Sequence, residues 1–381
     1  MRALIIFLAI IIPLIGAYFY LKPEEENIIS SPIVSQTDSK ISPVLDSVDN
    51  TLLTSEIAEN LDTPWALAFL PDGNILVTER KGKISLVKLN SPSEIIEIAS
   101  LKDVKEVGEG GLLGIVLHPD FINNHYLYLY YTYAQNGGDT LNRVVRMTYE
   151  NDKLSQSKII VDRIPGAANH NGGRIKYGPD NYLYITTGDG EQPSRAQDKN
   201  SLAGKILRVK DDGQKASGNP FNTSVYSYGH RNPQGLAWDL SGRLFSTEHG
   251  RSGLQSGLDE LNLIEPGKNY GWPEIQGTEK QNGMETPLIN SGSDTWAPAG
   301  AAFVGNILYF AGLRGSALYQ AKIVGNDIQI NELFKNEYGR LRDVVTGPDG
   351  MLYITTSNLD GRGNPNENDD KIIRVNPSLL P

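Results

Sequence analysis

Residues 66–78 read Ala66-Leu67-Ala68-Phe69, then Pro71-Asp72-Gly73-Asn74, then Ile75-Leu76-Val77-Thr78. Two short apolar runs separated by a Pro/Asp/Gly/Asn cluster predict two antiparallel strands joined by a tight turn. Outward from this hairpin the same unit returns. Gly114–Leu117, Pro119-Asp120 and Tyr126–Leu129 repeat it around a longer loop, and Ile175–Tyr177, Gly178-Pro179-Asp180-Asn181 and Tyr182–Ile185 form a third copy. Leu236–Trp238 with Ser241-Gly242 and Leu244–Ser246 is the fourth; Ala301–Phe303 with Gly305-Asn306 and Ile307–Phe310 is the fifth. Val344-Val345, Pro348-Asp349-Gly350 and Leu352–Ile354 complete the series. Recurrence at irregular spacings of roughly 40–65 residues fits propeller blades with variable outer strands. The reading is therefore an all-β, six-bladed β-propeller of four-stranded antiparallel blades, each hairpin being the inner half of one blade. Ser55–Leu61 is expected to pair with the last blade and close the ring. A β-sandwich would account for the strands but not for the recurring unit.

The 381 residues include 39 Gly and no Cys, and carry a formal charge of −10. The glycine content suits a fold with many tight turns. The acidic balance excludes a nucleic-acid or anionic-membrane surface spread over the whole protein, though not a local basic pocket. The lack of cysteine excludes disulfides and thiolate metal sites. At the N-terminus Arg2 precedes an apolar run from Ala3 to Leu21, interrupted by Pro13 and Gly16 and ended by Lys22 and Glu24-Glu25-Glu26. Residues 1–22 are thus either a signal peptide or a retained anchor, and the remainder is expected in the periplasm or otherwise outside the cytoplasm. No clean small-x-small cleavage site follows the run, which favours membrane attachment through residues 3–21. Residues 23–54, rich in Ser, Pro, Asp and Asn, read as a flexible tether, and residues 55–381 as the propeller.

Hairpin geometry places the chemistry. The start of a hairpin's first strand and the end of its second share one end, opposite the turn. Applied to every blade, this gathers Arg80, Arg231, Arg314, Arg340 and Arg342, the carboxylates Glu79, Glu109, Asp189 and Glu248, and Trp65, His170 and His249 around one mouth of the channel. The turn end offers mostly Pro, Asp, Gly and Asn. A merely polar rim is the bland account of that mouth. Two constellations argue for more. His170, in Asn169-His170-Asn171-Gly172-Gly173-Arg174, opens the third hairpin, and Asp189 closes it. A carboxylate there fixes the tautomer of an imidazole able to exchange a proton near neutral pH. Arg340 and Arg342 are alternate residues of an extended segment and share a face. With Arg231 they point to an anionic ligand bearing carboxylate or phosphate groups, unless they form a surface ion-pair ladder.

The ordered segments Gly111-Leu112-Leu113-Gly114 with His118-Pro119-Asp120-Phe121, Asn169–Arg174, Gly229-His230-Arg231-Asn232-Pro233-Gln234-Gly235-Leu236 and Glu248-His249-Gly250 resemble the glucose/sorbosone dehydrogenase family. Asp259–Ile264, Asn269-Tyr270-Gly271-Trp272-Pro273 and Arg340-Leu341-Arg342-Asp343-Val344 extend the resemblance from about residue 55 to the C-terminus. The tail Asp360-Gly361-Arg362-Gly363-Asn364-Pro365 with Asp369–Arg374 is more similar to the aldose sugar dehydrogenase branch than to soluble glucose dehydrogenase. The resemblance implies an enzyme that oxidises aldose sugars to lactones with pyrroloquinoline quinone (PQQ) and calcium, and passes electrons to an external acceptor. It makes His170 the base that takes the anomeric hydroxyl proton as hydride passes to the quinone, Asp189 its orienting partner, and Arg231 the group that polarises the quinone carbonyl. Glu109, Asn232, Arg314, Arg340 and Arg342 would contact the cofactor, and the backbone carbonyls of Gly250 and Arg251 would ligate calcium.

Three departures from the family pattern stand out. Glu109 occupies a position where many relatives carry Gln. Leu313-Arg314 lacks the cofactor Lys of soluble glucose dehydrogenase. The stretch from Arg251 to Asp259 is longer than in close relatives. Two other classes compete with the quinoprotein reading: a calcium-dependent propeller hydrolase of the lactonase type, and a non-catalytic propeller that binds a partner or glycan. The hydrolase would group acidic and amide side chains on a channel metal.

Overall fold

The computed structural model describes residues 50–381 apart from 90–93, 136–137, 254–255 and 326. The leader or anchor at 1–22 and all but the last few residues of the tether lie outside the described residues. Every described sheet is a four-stranded antiparallel blade, and there are six of them. The first comprises β2 (Pro64–Phe69), β3 (Ile75–Glu79), β4 (Lys83–Lys88) and β5 (Glu94–Ser100). The second holds β6 (Leu112–Leu117) to β9 (Lys153–Pro165), the third β10 (Ile175–Tyr177) to β13 (Val225–Tyr228), and the fourth β14 (Pro233–Trp238), β15 (Leu244–Glu248), β16 (Glu260–Ile264) and β17 (Ile289–Asn290). The fifth runs from β18 (Pro298–Val304) through β19 (Ile307–Gly312) to β21 (Asp327–Leu333). The sixth joins β22 (Leu341–Thr346), β23 (Leu352–Thr356) and β24 (Ile372–Val375) to the N-terminal β1 (Thr54–Ala58). Thr54 pairs with Val375 and Ala58 with Ile372, so the chain's two ends close the last blade together, as expected for Ser55–Leu61.

The turns explain why the inner hairpins recur. In the first, Leu70 and Asn74 close the loop by a main-chain bond of 2.8 Å, Gly73 takes φ +89°, and Asp72 Oδ1 accepts the Asn74 N–H at 3.0 Å. Asp180, Asp239 and Asp349 make the same side-chain bond to the residue two positions on. An Asp side chain that mimics a backbone turn therefore sets the register of four blades. The second copy departs from a simple hairpin, because one helical turn, Phe121–Asn124, fills its loop.

Burial grades outward along each blade. β3 is buried throughout, whereas β5, and β21 up to its buried last residue Leu333, consist of exposed and half-buried residues, as edge strands do. The apolar clusters lie between blades. One joins Leu67, Ile75 and Val77 of the first blade to Tyr353 and Ile372 of the sixth; another joins Phe245 and Leu261 of the fourth to Leu308 and Phe310 of the fifth. Blade-to-blade packing supplies the core, and it leaves the first strands β2, β6, β10, β14, β18 and β22 facing the central channel, where residues from each of them line one shared opening at the turn end.

Candidate active site

At the other end the channel opens into a cavity of about 470 Å³. Its wall is made by residues that precede first strands or follow second strands: Glu109 before β6, His170 before β10, Arg231 before β14, His249-Gly250-Arg251 after β15, Leu313-Arg314 after β19, and Arg340 and Arg342 at the start of β22. This is the end that hairpin geometry selects. Six arginines and three carboxylates line it, in a chain whose overall charge is −10.

His170 Nδ1 lies 2.8 Å from Asp189 Oδ1, and Asp189 is fully buried. The carboxylate also accepts the Glu191 N–H at 2.8 Å and the Trp272 Nε1–H at 2.9 Å. It is thereby an acceptor toward the imidazole, which puts the ring hydrogen on Nδ1 and leaves Nε2, without a partner among the described residues, as the basic atom. The backbone of His170 takes φ +57°, a left-handed conformation that a side-chain-bearing residue keeps only when its surroundings impose it. Two contacts impose it here. Glu109 Oε2 accepts the His170 N–H at 3.2 Å, and Gly190 donates to the His170 carbonyl at 3.2 Å. A Cβ on Gly188 would stand 1.9 Å from that carbonyl oxygen, so only glycine lets the hairpin edges close this far.

Glu109 is an asset of the wall, not a stray charge. Arg362 Nη1 donates to its Oε1 at 2.7 Å, while Arg362 Nη2 donates to Asn169 Oδ1 at 2.9 Å. Burial pushes the Glu109 carboxyl up, but His249, the Arg362 pair and the His170 N–H outweigh it and hold the group down to about 2. Burial in turn lowers His249 to about 3, so at neutral pH its ring is uncharged and Arg362 is the partner that keeps Glu109 ionised.

Arg231 is buried, and burial lowers its guanidinium against the opposing pull of Asp189, Glu109 and Glu248. Its Nη2 donates to Ser252 Oγ at 2.8 Å, and its charge lies 5.3 Å from the Trp272 ring centroid. Asn232 lies behind the wall, fully buried, with Oδ1 accepting the Gly172 N–H at 2.9 Å. The two strand-alternate arginines differ. Arg340 is matched by Asp360 at 2.8 and 3.0 Å, whereas Arg342 is buried with Gln234 Oε1 at 2.6 Å and no carboxylate of its own. Burial pushes Arg342 down to about 9, with Asp360 opposing, so it remains charged at neutral pH. Beneath it Trp65 receives both Arg342 and Arg174, at 5.6 and 4.5 Å from the ring centroid. Leu313 is buried in the wall, and Arg314 is exposed at the rim.

Gly250 and Arg251 begin the loop to Asp259. Gly250 donates to Asp259 Oδ1 at 2.8 Å, Asp259 Oδ2 accepts the Trp296 and Ala297 N–H groups, and a Cβ on Gly250 would stand 2.3 Å from the carbonyl oxygens of Gly257 and Leu258. The two described ends of this loop are thus packed tightly against each other. No group of three or more His, Asp or Glu side chains able to hold a metal exists among the described residues.

Five buried nitrogens at this site have no hydrogen-bond partner among the described residues: Arg231 Nε, Asn232 Nδ2, His249 Nε2, Arg251 Nε and Arg342 Nε. Buried polar atoms are normally paired, so this cluster leaves hydrogen-bonding capacity unused in and behind the cavity wall. Other members of the expected mouth lie below it. Glu79 is buried against Lys83 and Ser85, Arg80 pairs with Glu106, and Glu248 bonds His230 and the Arg231 N–H. Arg362, Asn169, Gln234 and Trp272 are the contacts that motif reading left without a role. Arg362 alone carried a signal, a cation in a Gly-flanked segment, but its reach to residues 253 positions away follows from the loop path.

The model of the family described as glucose/sorbosone dehydrogenase matches residues 61–373. Aldose sugar dehydrogenase YliI of Escherichia coli is 31% identical over 358 residues, covering 84% of this chain and 94% of that protein. Quinoprotein glucose dehydrogenase B of Acinetobacter calcoaceticus is 35% identical over 263 residues, covering 60% of this chain and 53% of that one. The solved structure of the PQQ-bound form of aldose sugar dehydrogenase from Streptomyces coelicolor superposes with a TM-score of 0.79 at 41% identity, covering 84% of this chain and 96% of the other.

Proposed function

The chain belongs to the glucose/sorbosone dehydrogenase family, and on that premise we propose that it is a PQQ-dependent aldose sugar dehydrogenase that converts sugars to lactones at the anomeric carbon. The observation that carries this reading is a cavity lined by six arginines that also holds a His–Asp pair, with buried nitrogens of Arg231, Arg251 and Arg342 left unpartnered in its wall among the described residues. The donor set fits a flat, oxygen-rich tricarboxylate. Arg342, Arg340 and Arg231 would hold it, with Asn232 backing the wall, Arg314 at the rim and Glu109 and Arg362 closing the side toward the base. When bound, the quinone supplies the hydride acceptor for the sugar carbon. His170 Nε2 takes the proton of the anomeric hydroxyl, and Asp189 keeps the ring oriented and stabilises the imidazolium that results. Arg231 keeps a fixed positive charge in the wall, where it favours any charge that develops on a carbonyl oxygen beside it.

Calcium is proposed beside the cofactor, on the main-chain carbonyls of Gly250 and Arg251. With no acidic side-chain cage among the described residues, the remaining ligand oxygens would come from the cofactor and from water. Calcium uptake should therefore depend on PQQ. The test uses protein made in a host without PQQ. It should be inactive as purified and should reduce a dye with aldose sugars once PQQ and calcium are both added. Protein that binds no PQQ at any calcium concentration would leave a binding propeller in place of the enzyme.

The sugar side of the reaction is placed outside the cytoplasm. No helix among the described residues is long and apolar enough to cross a membrane, so this reading rests on Arg2 and the apolar run from Ala3 to Leu21. A reporter fused to residues 1–54 should be exported, staying on the membrane if the run is an anchor and appearing shortened and soluble if it is cleaved. A full-length cytosolic reporter contradicts both.

A further inference from the structure

Behind Arg231 and Asn232 runs a polar chain that the chemistry above does not use. Ser227 in β13, His230 and Glu248 at the end of β15 are 0%, 0% and 3% exposed. His230 Nδ1 lies 2.9 Å from Glu248 Oε2, and Nε2 lies 2.8 Å from Ser227 Oγ. The ring stacks on Tyr270 with centroids 4.7 Å apart and 19° between the planes. In composition this is the Ser–His–acid trio of hydrolases. Its hydroxyl and imidazole have no exposed surface, however, so no substrate reaches them and the trio is not a second reaction centre. What it does hold is the backbone. Glu248 Oε1 accepts the N–H of Arg231 and, at 3.2 Å, the N–H of Asn232.

We propose that Glu248, oriented by His230 and Ser227, is the positioning residue for Arg231 and Asn232, and so fixes how the Arg231 side chain meets the quinone with Asn232 packed behind it. One carboxylate receives hydrogens from three consecutive residues, 230 to 232, just where the chain turns into β14. Charge-assisted bonds of this kind are stronger than neutral ones and constrain direction as well as distance. Arg231 Nε and Asn232 Nδ2 are unpartnered among the described residues. The Arg231 guanidinium meets Ser252 Oγ at 2.8 Å, the His249 carbonyl at 3.5 Å and the Trp272 ring at 5.3 Å from its centroid, and Asn232 Oδ1 accepts the Gly172 N–H at 2.9 Å. The path of the backbone sets where both side chains start, and these contacts complete their placement.

The cofactor part of this inference rests on the quinone reading, so the test has two arms. In apoprotein, nitrogen-resolved NMR should place a hydrogen on His230 Nδ1. Glu248→Gln should move the Arg231 and Asn232 amide protons upfield while most other amides stay in place. A ring protonated only at Nε2, or unmoved amides, overturns the relay. In the second arm PQQ is titrated in calcium against wild type, Glu248→Gln, Arg231→Lys and the double variant. Glu248→Gln should weaken binding about tenfold alone but less than about threefold on the Arg231→Lys background, because residues acting through one another are not additive. Additive losses, or wild-type affinity in Glu248→Gln, overturn the positioning role. If Glu248→Gln does not fold, Ser227→Ala replaces it. That variant should shift the His230 ring nitrogens and cost about threefold in affinity, and unshifted nitrogens count against the relay. Wild type that takes up no PQQ defeats the functional reading, while the apoprotein amides still decide whether Glu248 holds this backbone.

Discussion

His170→Gln is expected to lower sugar oxidation by about 10²–10⁴-fold, the usual contribution of a general base, and to leave PQQ affinity nearly intact. Two features of the site separate these terms. Glutamine is close to histidine in reach and can still meet the Asp189 carboxylate, but it has no atom that takes a proton at neutral pH. The proposed cofactor contacts, in contrast, lie on the arginine side of the cavity and not at this ring. Asp189→Asn should also slow turnover with little loss of cofactor, for a different reason. Asp189 accepts from His170, Glu191 and Trp272 together, and an amide cannot serve all three donors. With its NH₂ toward the ring it would pair with an unprotonated Nδ1 and leave the hydrogen on Nε2, the atom that must be free. Steady-state rates and PQQ titrations on both variants separate the effects, and near-wild-type turnover in His170→Gln would eliminate the mechanism.

Why this pair was legible in the sequence is a matter of hairpin geometry. Residues that flank the two strands of one inner hairpin meet at one end whatever the rest of the blade does, so His170 and Asp189 could be matched without knowing any other strand. The same local logic made the blades legible, since an Asp-Gly or Gly-Asn turn between two apolar runs fixes its own register. What depended on long connections was not legible. Glu109 looked like an added acid beside an anionic ligand, until Arg362 reached it from the loop that links β23 to β24. Trp272 steadies Asp189 from a segment 83 positions away. Arg340 and Arg342 do share one wall, although Arg340 precedes β22 and the register shifts between Leu341 and Asp343, and the sequence could not show that Asp360 pairs with one and not the other.

That difference sets the second large effect. Arg342→Ala should weaken PQQ binding by about ten- to hundredfold, the equivalent of a charge-assisted hydrogen bond of roughly 1.5–3 kcal/mol. Arg342 is 4% exposed and has no carboxylate partner among the described residues, and burial presses its guanidinium down to about 9. Such a cation is short of counter-charge, and an anionic ligand supplies it. Trp65 below and Gln234 beside it hold the group in place without neutralising it. Arg340→Ala should cost affinity as well, but by leaving something behind. Asp360 would lose its partner while staying close to the site, and a bare carboxylate repels the ligand's own. Adding Asp360→Asn to Arg340→Ala should therefore recover much of the loss, about tenfold if one charge-assisted contact is at stake. The same addition has no stranded partner of Arg342 to neutralise, so it should leave the larger part of the Arg342→Ala defect. PQQ titrations at fixed calcium, on the two single variants and the two doubles, check both statements. Equal recovery in both backgrounds would mean that only total charge matters and that the pairing is incidental. Wild-type affinity in Arg342→Ala would move the quinone's acidic edge away from this part of the wall altogether.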